Sequence, residues 1–189
     1  IETCRLIEPV FGGINLEDIS APRCFEIEDA LQDLGIPVFH DDQHGTAIVL
    51  LAALINSAKV TGKKLPELQV VINGAGAAGS AIAKLIRGIG VPKSEIQPVA
   101  DVIVCDSKGA ISAGRDDLNS SKQGMLKYTN SGNHSGSLQE VLKGADAFIG
   151  VSRGNIIGAD DVKNMAKGSI ILAMANPTPE IMPNEARKG

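Results

Sequence analysis

The sequence predicts an α/β protein built on an open, doubly wound parallel sheet. Three observations predict it. Apolar runs of strand length alternate with stretches of helical periodicity. The run Leu68 to Asn73 is nearly all apolar, as a strand covered on both faces should be. Hydrophobic residues fill 43% of the 189 positions but aromatics only 3%, with no Trp, which suits small side chains packed tightly between helices and sheet.

The elements follow in order. Leu6 to Phe11 reads as a short strand interrupted by Pro9 and ended by Gly12-Gly13. Ala21 to Leu34 has helical periodicity, with Pro22 in its first turn. Ile36 to Phe39 reads as a second short strand, ending in His40-Asp41-Asp42. Thr46 to Lys59 is apolar on every side and too long for a strand, so it reads as a buried helix. Strand Leu68 to Asn73 leads into Gly74 to Gly79, then a helix from Ser80 to Gly88. Asp101 to Cys105 is the next strand, closed by Asp106 after an extended Ile89 to Ala100 connection. Ser107 to Gly136 is polar and rich in Gly, Ser and Asn, and shows no clear helix. Leu138 to Lys143 reads as a helix, Ala147 to Val151 as a strand, Ala159 to Ala166 as a helix and Ser169 to Ala173 as a strand, before Asn176-Pro177 breaks the chain.

Net charge is −4, which argues against nucleic acid or an anionic membrane as partner. No run of 18 apolar residues reads as a membrane span. Cys4, Cys24 and Cys105 form no C-x-x-C pair and are odd in number, so packed thiols in a reducing cytoplasm are expected. The first residue is Ile1 rather than Met, which reads as the start of a piece of a longer protein.

Gly74-Ala75-Gly76-Ala77-Ala78-Gly79 is a full G-x-G-x-x-G between an apolar strand and an Ala-rich helix. Gly74 permits the tight turn, Gly76 leaves room for a pyrophosphate, and Gly79 allows close helix–strand packing. The helix N-terminus adds N–H groups and positive dipole. The fold class sharpens to a Rossmann-like sheet binding a dinucleotide. Asp106, at the end of the next strand, is placed to accept the adenosine ribose hydroxyls and to repel a 2′-phosphate, which favours NAD. NADP stays open: the gap from Gly79 exceeds the usual ~20 residues, and Lys108 could reach a 2′-phosphate.

Glu17-Asp18 and Asp41-Asp42 each follow an apolar segment. At the C-terminal ends of parallel strands such pairs can meet, and clustered carboxylates select a hard ion such as Mg²⁺ or Mn²⁺. Solvated loop acids are the plainer alternative. His40 and His44 beside them fit hydrogen-bonding or packing roles better than ligation of a hard ion.

The local sequence resembles that of malic enzymes. Gly13-Ile14-Asn15-Leu16-Glu17-Asp18-Ile19-Ser20-Ala21-Pro22 is similar to the family's metal segment, and Pro37-Val38-Phe39-His40-Asp41-Asp42-Gln43-His44-Gly45-Thr46-Ala47 to its second signature. The order of acidic pair, acidic pair, glycine loop and Asn176-Pro177 is also the family's, and short bacterial-type forms look most alike. The resemblance implies that Glu17, Asp18 and Asp42 ligate the divalent metal and that Asp41 lies beside the catalytic lysine. It places Thr46 and the Gly150 to Asn155 loop, with Ser152, near the nicotinamide and its ribose. It assigns Gly74, Gly76, Ala77, Ala78 and Gly79 to the pyrophosphate, Asp106 to the ribose, and Asn176 to malate. The implied reaction is oxidative decarboxylation of (S)-malate to pyruvate and CO₂, with NAD(P) reduced, in a homodimer or higher homo-oligomer.

The family's lysine base and tyrosine acid lie in a preceding domain, and no position here matches either. Tyr128, the one tyrosine, reads as a surface or packing residue. The expected division is therefore residues 1–40, a remnant of the preceding α/β domain carrying metal ligands, and residues 41–189, the NAD(P)-binding domain, cut short at its C-terminal end. The chain alone is expected to bind nucleotide and to turn over malate poorly. Two other readings remain at this stage: another nicotinamide-dependent dehydrogenase, which has no use for the acidic pairs, and a non-catalytic nucleotide-binding module.

Overall fold

The structure, a computed structural model, describes residues 1–92 and 95–189. Two sheets organise it. Strands β1 (Ile14–Leu16) and β2 (Val38–His40) form a small parallel pair. Strands β3 (Gln69–Asn73), β4 (Asp101–Asp106), β5 (Gly109–Ala110), β6 (Ala147–Gly150) and β7 (Ile170–Ala173) form a five-stranded sheet in the order β5-β4-β3-β6-β7. All its pairings are parallel except β4 with β5, a short antiparallel return. The chain leaves β3 for β4 on one side and later crosses to β6 on the other. The ends of β3 and β6 therefore flank the point where strand order reverses, the place where such sheets bind ligands.

Side-chain alternation sorts the core into two layers. Val70 and Ile72 of β3 face one layer with Leu50, Leu54, Ile82, Ile86 and Met125. Val71 faces the other with Cys105, Leu142, Phe148 and Met165. The first layer is covered by α3 (Thr46–Thr61) and α4 (Ala77–Ile86), and the second by α6 (Leu138–Val141) and α7 (Ala159–Lys163). Full burial of a Leu or Ile side chain stabilises by roughly 1.5–3 kcal/mol. Leu50, Leu54 and Ile82 are each wholly buried, so together they fix α3 and α4 on the sheet.

The first 40 residues depart from the sequence expectation. No strand forms over Leu6 to Phe11. Helix α1 (Glu2–Ile7) and a 3₁₀ turn over Glu8–Val10 stand there instead, and Leu6, Val10 and Phe11 are exposed. Pro9 sits in the first turn of that 3₁₀ segment, where its missing N–H costs nothing. The strand begins three residues after Phe11, where Ile14 N–H bonds the Pro37 carbonyl and the chain pairs with β2. Helix α2 is also shorter than expected, Arg23–Asp29, and continues only as turns.

Helix α3 is longer than expected and covered on one face only. Ala47, Leu50, Leu54 and Ala58 recur at helical spacing and are buried against α4 and β7, while Ile48, Val49 and Val60 are exposed. With the preceding turn, Asp41–Thr61 is long and apolar enough by composition to cross a membrane. Its buried face packs in the core as that of a globular-protein helix does.

The polar stretch 107–136 has structure that its composition hid. Helix α5 (Ser120–Met125) starts at Asn119, whose side chain accepts from Lys122 N–H. Buried Asn130 donates to the carbonyls of Ile111 and His134 and accepts from His134 N–H, tying the loop back to the sheet. Helix α6 begins with a capping box between Ser137 and Glu140, a signal present in the sequence. The last helix, α8 (Pro183–Ala186), packs on α7. The connection read from Ile89 to Ala100 includes residues 93 and 94, which lie outside the described residues.

Candidate functional site

The glycine loop joins β3 to α4, which starts at Ala77, three residues earlier than its pattern suggested. Gly74 has φ +130, and a Cβ there would stand 2.7 Å from the Val151 carbonyl oxygen. A Cβ on Gly79 would run into the carbonyl oxygen of Gly74. Both glycines are thus demanded by the protein's own packing. A Cβ on Gly76 would meet no protein atom within 4 Å, so its bareness keeps open the space outside the loop. That space is a groove of about 930 Å³, lined by Gly74, Gly76, Asp106, Ser107, Ser152 and Asn155 among others. With the α4 N-terminus beside it, the groove fits a dinucleotide phosphate.

Asp106 is not a free acid. Arg115 donates to both its oxygens, at 2.9 and 3.0 Å, and Lys122 reaches Oδ2 at 2.6 Å. Its own turn adds Lys108 N–H at 2.9 Å. Burial pushes the carboxyl up, but Arg115 and Lys122 outweigh it and hold it at about 2. Asp117 closes the cluster by pairing with Arg115 and Lys108. Three cations thus face two carboxylates at the end of β4. Repulsion of a 2′-phosphate, expected of a lone Asp106, is largely cancelled.

The acidic pairs meet through the register of the small sheet. Leu16 lies opposite His40, so residues 17 and 18 leave β1 beside residues 41 and 42 leaving β2. Asp18 takes φ 58, and its N–H donates to Asp42 Oδ2 at 2.8 Å. Asp41 to Gly45 form a π-helical turn running straight into α3 and packed against α4, which carries the glycine loop. Turns of this kind recur at functional sites. Asp18, Asp42, Thr46, Ala77, Ser152 and Asn176 line a second cavity of about 650 Å³, which shares Val151 and Ser152 with the dinucleotide groove.

A hard divalent cation suits the oxygen donors Asp18 and Asp42. Glu17 is exposed and outside the cavity lining, as is Asp41. Among the described residues, no three His, Cys, Asp or Glu side chains stand together as a closed ligand set. Asp18 and Asp42 thus offer two oxygen donors that such a cation could take, with Glu17 standing outside the cavity.

The loops that carry Ser152 and Asn176 are fixed by Glu180, a residue the sequence did not single out. Wholly buried, it accepts from Ser152 N–H at 3.0 Å and Ala175 N–H at 3.1 Å. A Cβ on Gly150 would collide with its side chain, so Gly150 makes room for this clasp. Asn73, at the end of β3, donates to Ser152 Oγ. An acid inside the Pro-rich segment Thr178-Pro179-Glu180 was the available signal for Glu180, but its partners are backbone groups with no sequence signature.

The family profile for the malic enzyme NAD-binding domain matches residues 43–188. The chain belongs to the malic enzyme family. It is 52% identical over its whole length to the bifunctional malic/malolactic enzyme of Bacillus subtilis (strain 168), covering 44% of that protein. It is 47% identical over 99% of its length to the NADP-dependent malic enzyme of Haemophilus influenzae, covering 24% of it. The crystal structure of the NAD-dependent malic enzyme of Thermotoga maritima superposes with a TM-score of 0.90 at 45% identity, over 99% of this chain and 48% of that one. The chain therefore spans less than half the length of the malic enzymes it matches. The Rossmann-like α/β fold and the nicotinamide-dinucleotide-binding character of the domain follow from this membership.

Cys24, Cys105 and Tyr128 are packed as the sequence suggests. Cys24 and Cys105 are buried free thiols, and burial pushes the Cys105 thiol up to about 12. Cys4 is a half-buried free thiol. Tyr128 packs against the core, lines neither of the two cavities, and is pushed up by burial. His134 is exposed.

Proposed function

We propose that this chain supplies the dinucleotide groove and the metal-binding acids for oxidative decarboxylation of (S)-malate to pyruvate and CO₂, with NAD or NADP as oxidant. One observation carries the reading. Asp18, Asp42 and Asn176 line the cavity that adjoins the glycine-loop groove, with Ser152 and Val151 as the shared wall. A dinucleotide in one cavity and an acid-held ion in the other would meet at that wall.

Each residue then has a role. Gly76 and the first N–H groups of α4 take the pyrophosphate, and Asp106 with Arg115 takes the adenosine ribose end. Ser152 and Thr46 border the nicotinamide. Asp18 and Asp42, joined by Glu17, hold Mg²⁺ or Mn²⁺, and Asn176 orients a malate carboxylate. When bound, the nicotinamide would supply a hydride acceptor, and the cation held by Asp18, Asp42 and Glu17 would supply Lewis-acid stabilisation for the malate C2 oxygen and for the charge left after CO₂ departs. Neither cavity has a tyrosine or lysine in its lining among the described residues. We assign the proton-transfer groups of the reaction to the preceding domain that the family resemblance implies, and place the domain boundary at residue 40. The free thiols accord with a cytoplasmic location.

The test uses the purified chain. NADH and NADPH fluorescence titrations should both show saturable binding, and Mn²⁺ with malate and NAD should give little pyruvate. Turnover comparable to an intact malic enzyme would overturn the assignment of proton transfer to other segments. Absence of binding by either nucleotide would overturn the groove.

A further inference from the structure

His40 is wholly buried at the end of β2, yet its Nε2 makes no hydrogen bond among the described residues. An unpaired buried polar atom is costly and asks for an explanation. Its neighbours supply one. Gln43 Nε2 lies 2.9 Å from Glu28 Oε2 and 2.8 Å from His40 Nδ1. A carboxylate can only accept, so the Gln43 atom facing Glu28 must be the NH₂ group. That same group faces His40, so Nδ1 must accept and the ring proton must sit on Nε2. Glu28 is itself held on its other oxygen by His44 Nε2 at 2.6 Å. The chain His44–Glu28–Gln43 thus sets the tautomer of a buried imidazole.

One carboxylate lies near the Nε2–H so defined. Asp42 Oδ2 lies 3.4 Å away, just outside a good hydrogen bond, and already accepts Asp18 N–H. Among the described residues no hydrogen bond engages Asp42 Oδ1. We propose that His40 is a positioning residue for Asp42: through Nε2–H it holds Oδ2 on the protein side and leaves Oδ1 to a divalent cation, with Gln43 and Glu28 fixing the tautomer this needs. The inference rests on the reading of Asp42 as a metal ligand. Outer hydrogen-bonding partners of metal ligands typically contribute about 10- to 100-fold in affinity.

The experiment measures Mn²⁺ binding to the purified chain by electron paramagnetic resonance, with NADH binding and thermal unfolding in parallel. His40→Phe keeps a buried ring but removes the donor. It should weaken Mn²⁺ binding about 10- to 100-fold while NADH affinity stays unchanged. Gln43→Met should lower Mn²⁺ affinity in the same direction. His40→Gln, which keeps a donor near the Nε2 position, should recover most of it. Should His40→Phe fail to fold, ¹⁵N-histidine spectra of the unmodified chain remain decisive: a protonated Nε2 and bare Nδ1 are expected, and the opposite tautomer overturns the proposal. Mn²⁺ binding lost in Asp42→Asn but intact in His40→Phe and Gln43→Met also overturns it, leaving the metal reading standing. Unchanged binding in Asp42→Asn, or none by the unmodified chain, overturns the metal reading and this inference with it.

Discussion

The glycine-loop groove and the acidic cavity adjoin each other but are built in opposite ways. The glycine loop at the base of the groove comes from one contiguous stretch, β3 through α4, whose glycines are forced by contacts within a few residues or with the neighbouring strand, while the groove's other walls come from the segments after β4 and β6 and the start of α6. The acidic cavity draws on the loop after β1, the π-helical turn, the starts of α3 and α4 and the loops after β6 and β7. Its carboxylates are brought near one another without closing into a ligand set among the described residues. Neutral backbone groups can be preorganised at little cost, whereas like charges repel until a cation arrives. On the proposed function, a cation would be needed to draw the acids of the second region together.

Substitutions can break that contrast. The largest effect is expected from Gly79→Val, which forces side-chain atoms against the Gly74 carbonyl. NADH affinity should fall about 100-fold or more, with overpacking costing at least ~1–3 kcal/mol of stability. Fluorescence titration and thermal unfolding read both. If Mn²⁺ binding falls equally, the two regions are one cooperative unit and the contrast fails. Asp42→Asn should do the reverse, weakening Mn²⁺ binding on the order of 100-fold by removing a charged oxygen ligand. NADH binding should persist.

Two smaller effects sharpen the groove side. The Asp106 carboxyl is held at about 2 against an ordinary 3.8. Its folded value is the lower one, so its contribution is fully present above pH 3.8 and is lost as pH falls through about 2. Arg115→Met should therefore cost on the order of 2 kcal/mol at neutral pH. In denaturant unfolding the difference from the parent should shrink towards pH 2. A pH-independent difference would mean that Arg115 acts by packing alone. Ser137→Ala removes the capping box of α6 at the groove wall and should cost about 1 kcal/mol, with NADH affinity little changed.

Much of the groove was legible because its signals are local. An apolar strand, three glycines at fixed offsets and an Ala-rich helix specify a turn whose geometry depends on the residues in it. The acidic residues were legible as residue types and through resemblance, but their meeting depends on Leu16 pairing with His40 across the small sheet. The strand preceding Glu17 was misplaced for the same reason. Leu6 to Phe11 has strand-like composition but finds no partner, while the shorter Ile14–Leu16 does.

The sequence by itself determined the α/β class, the glycine-loop groove and the residue types available for an ion, since periodicity and turn chemistry act over short distances. Only the tertiary structure decided that Arg115 and Lys122 neutralise Asp106, that Glu180 clasps the Ser152 and Asn176 loops, and that His40 is buried with its Nε2 3.4 Å from Asp42. Those pairings join segments far apart in the chain, and electrostatic partners at long sequence separation are set by how the loops fold back on the sheet.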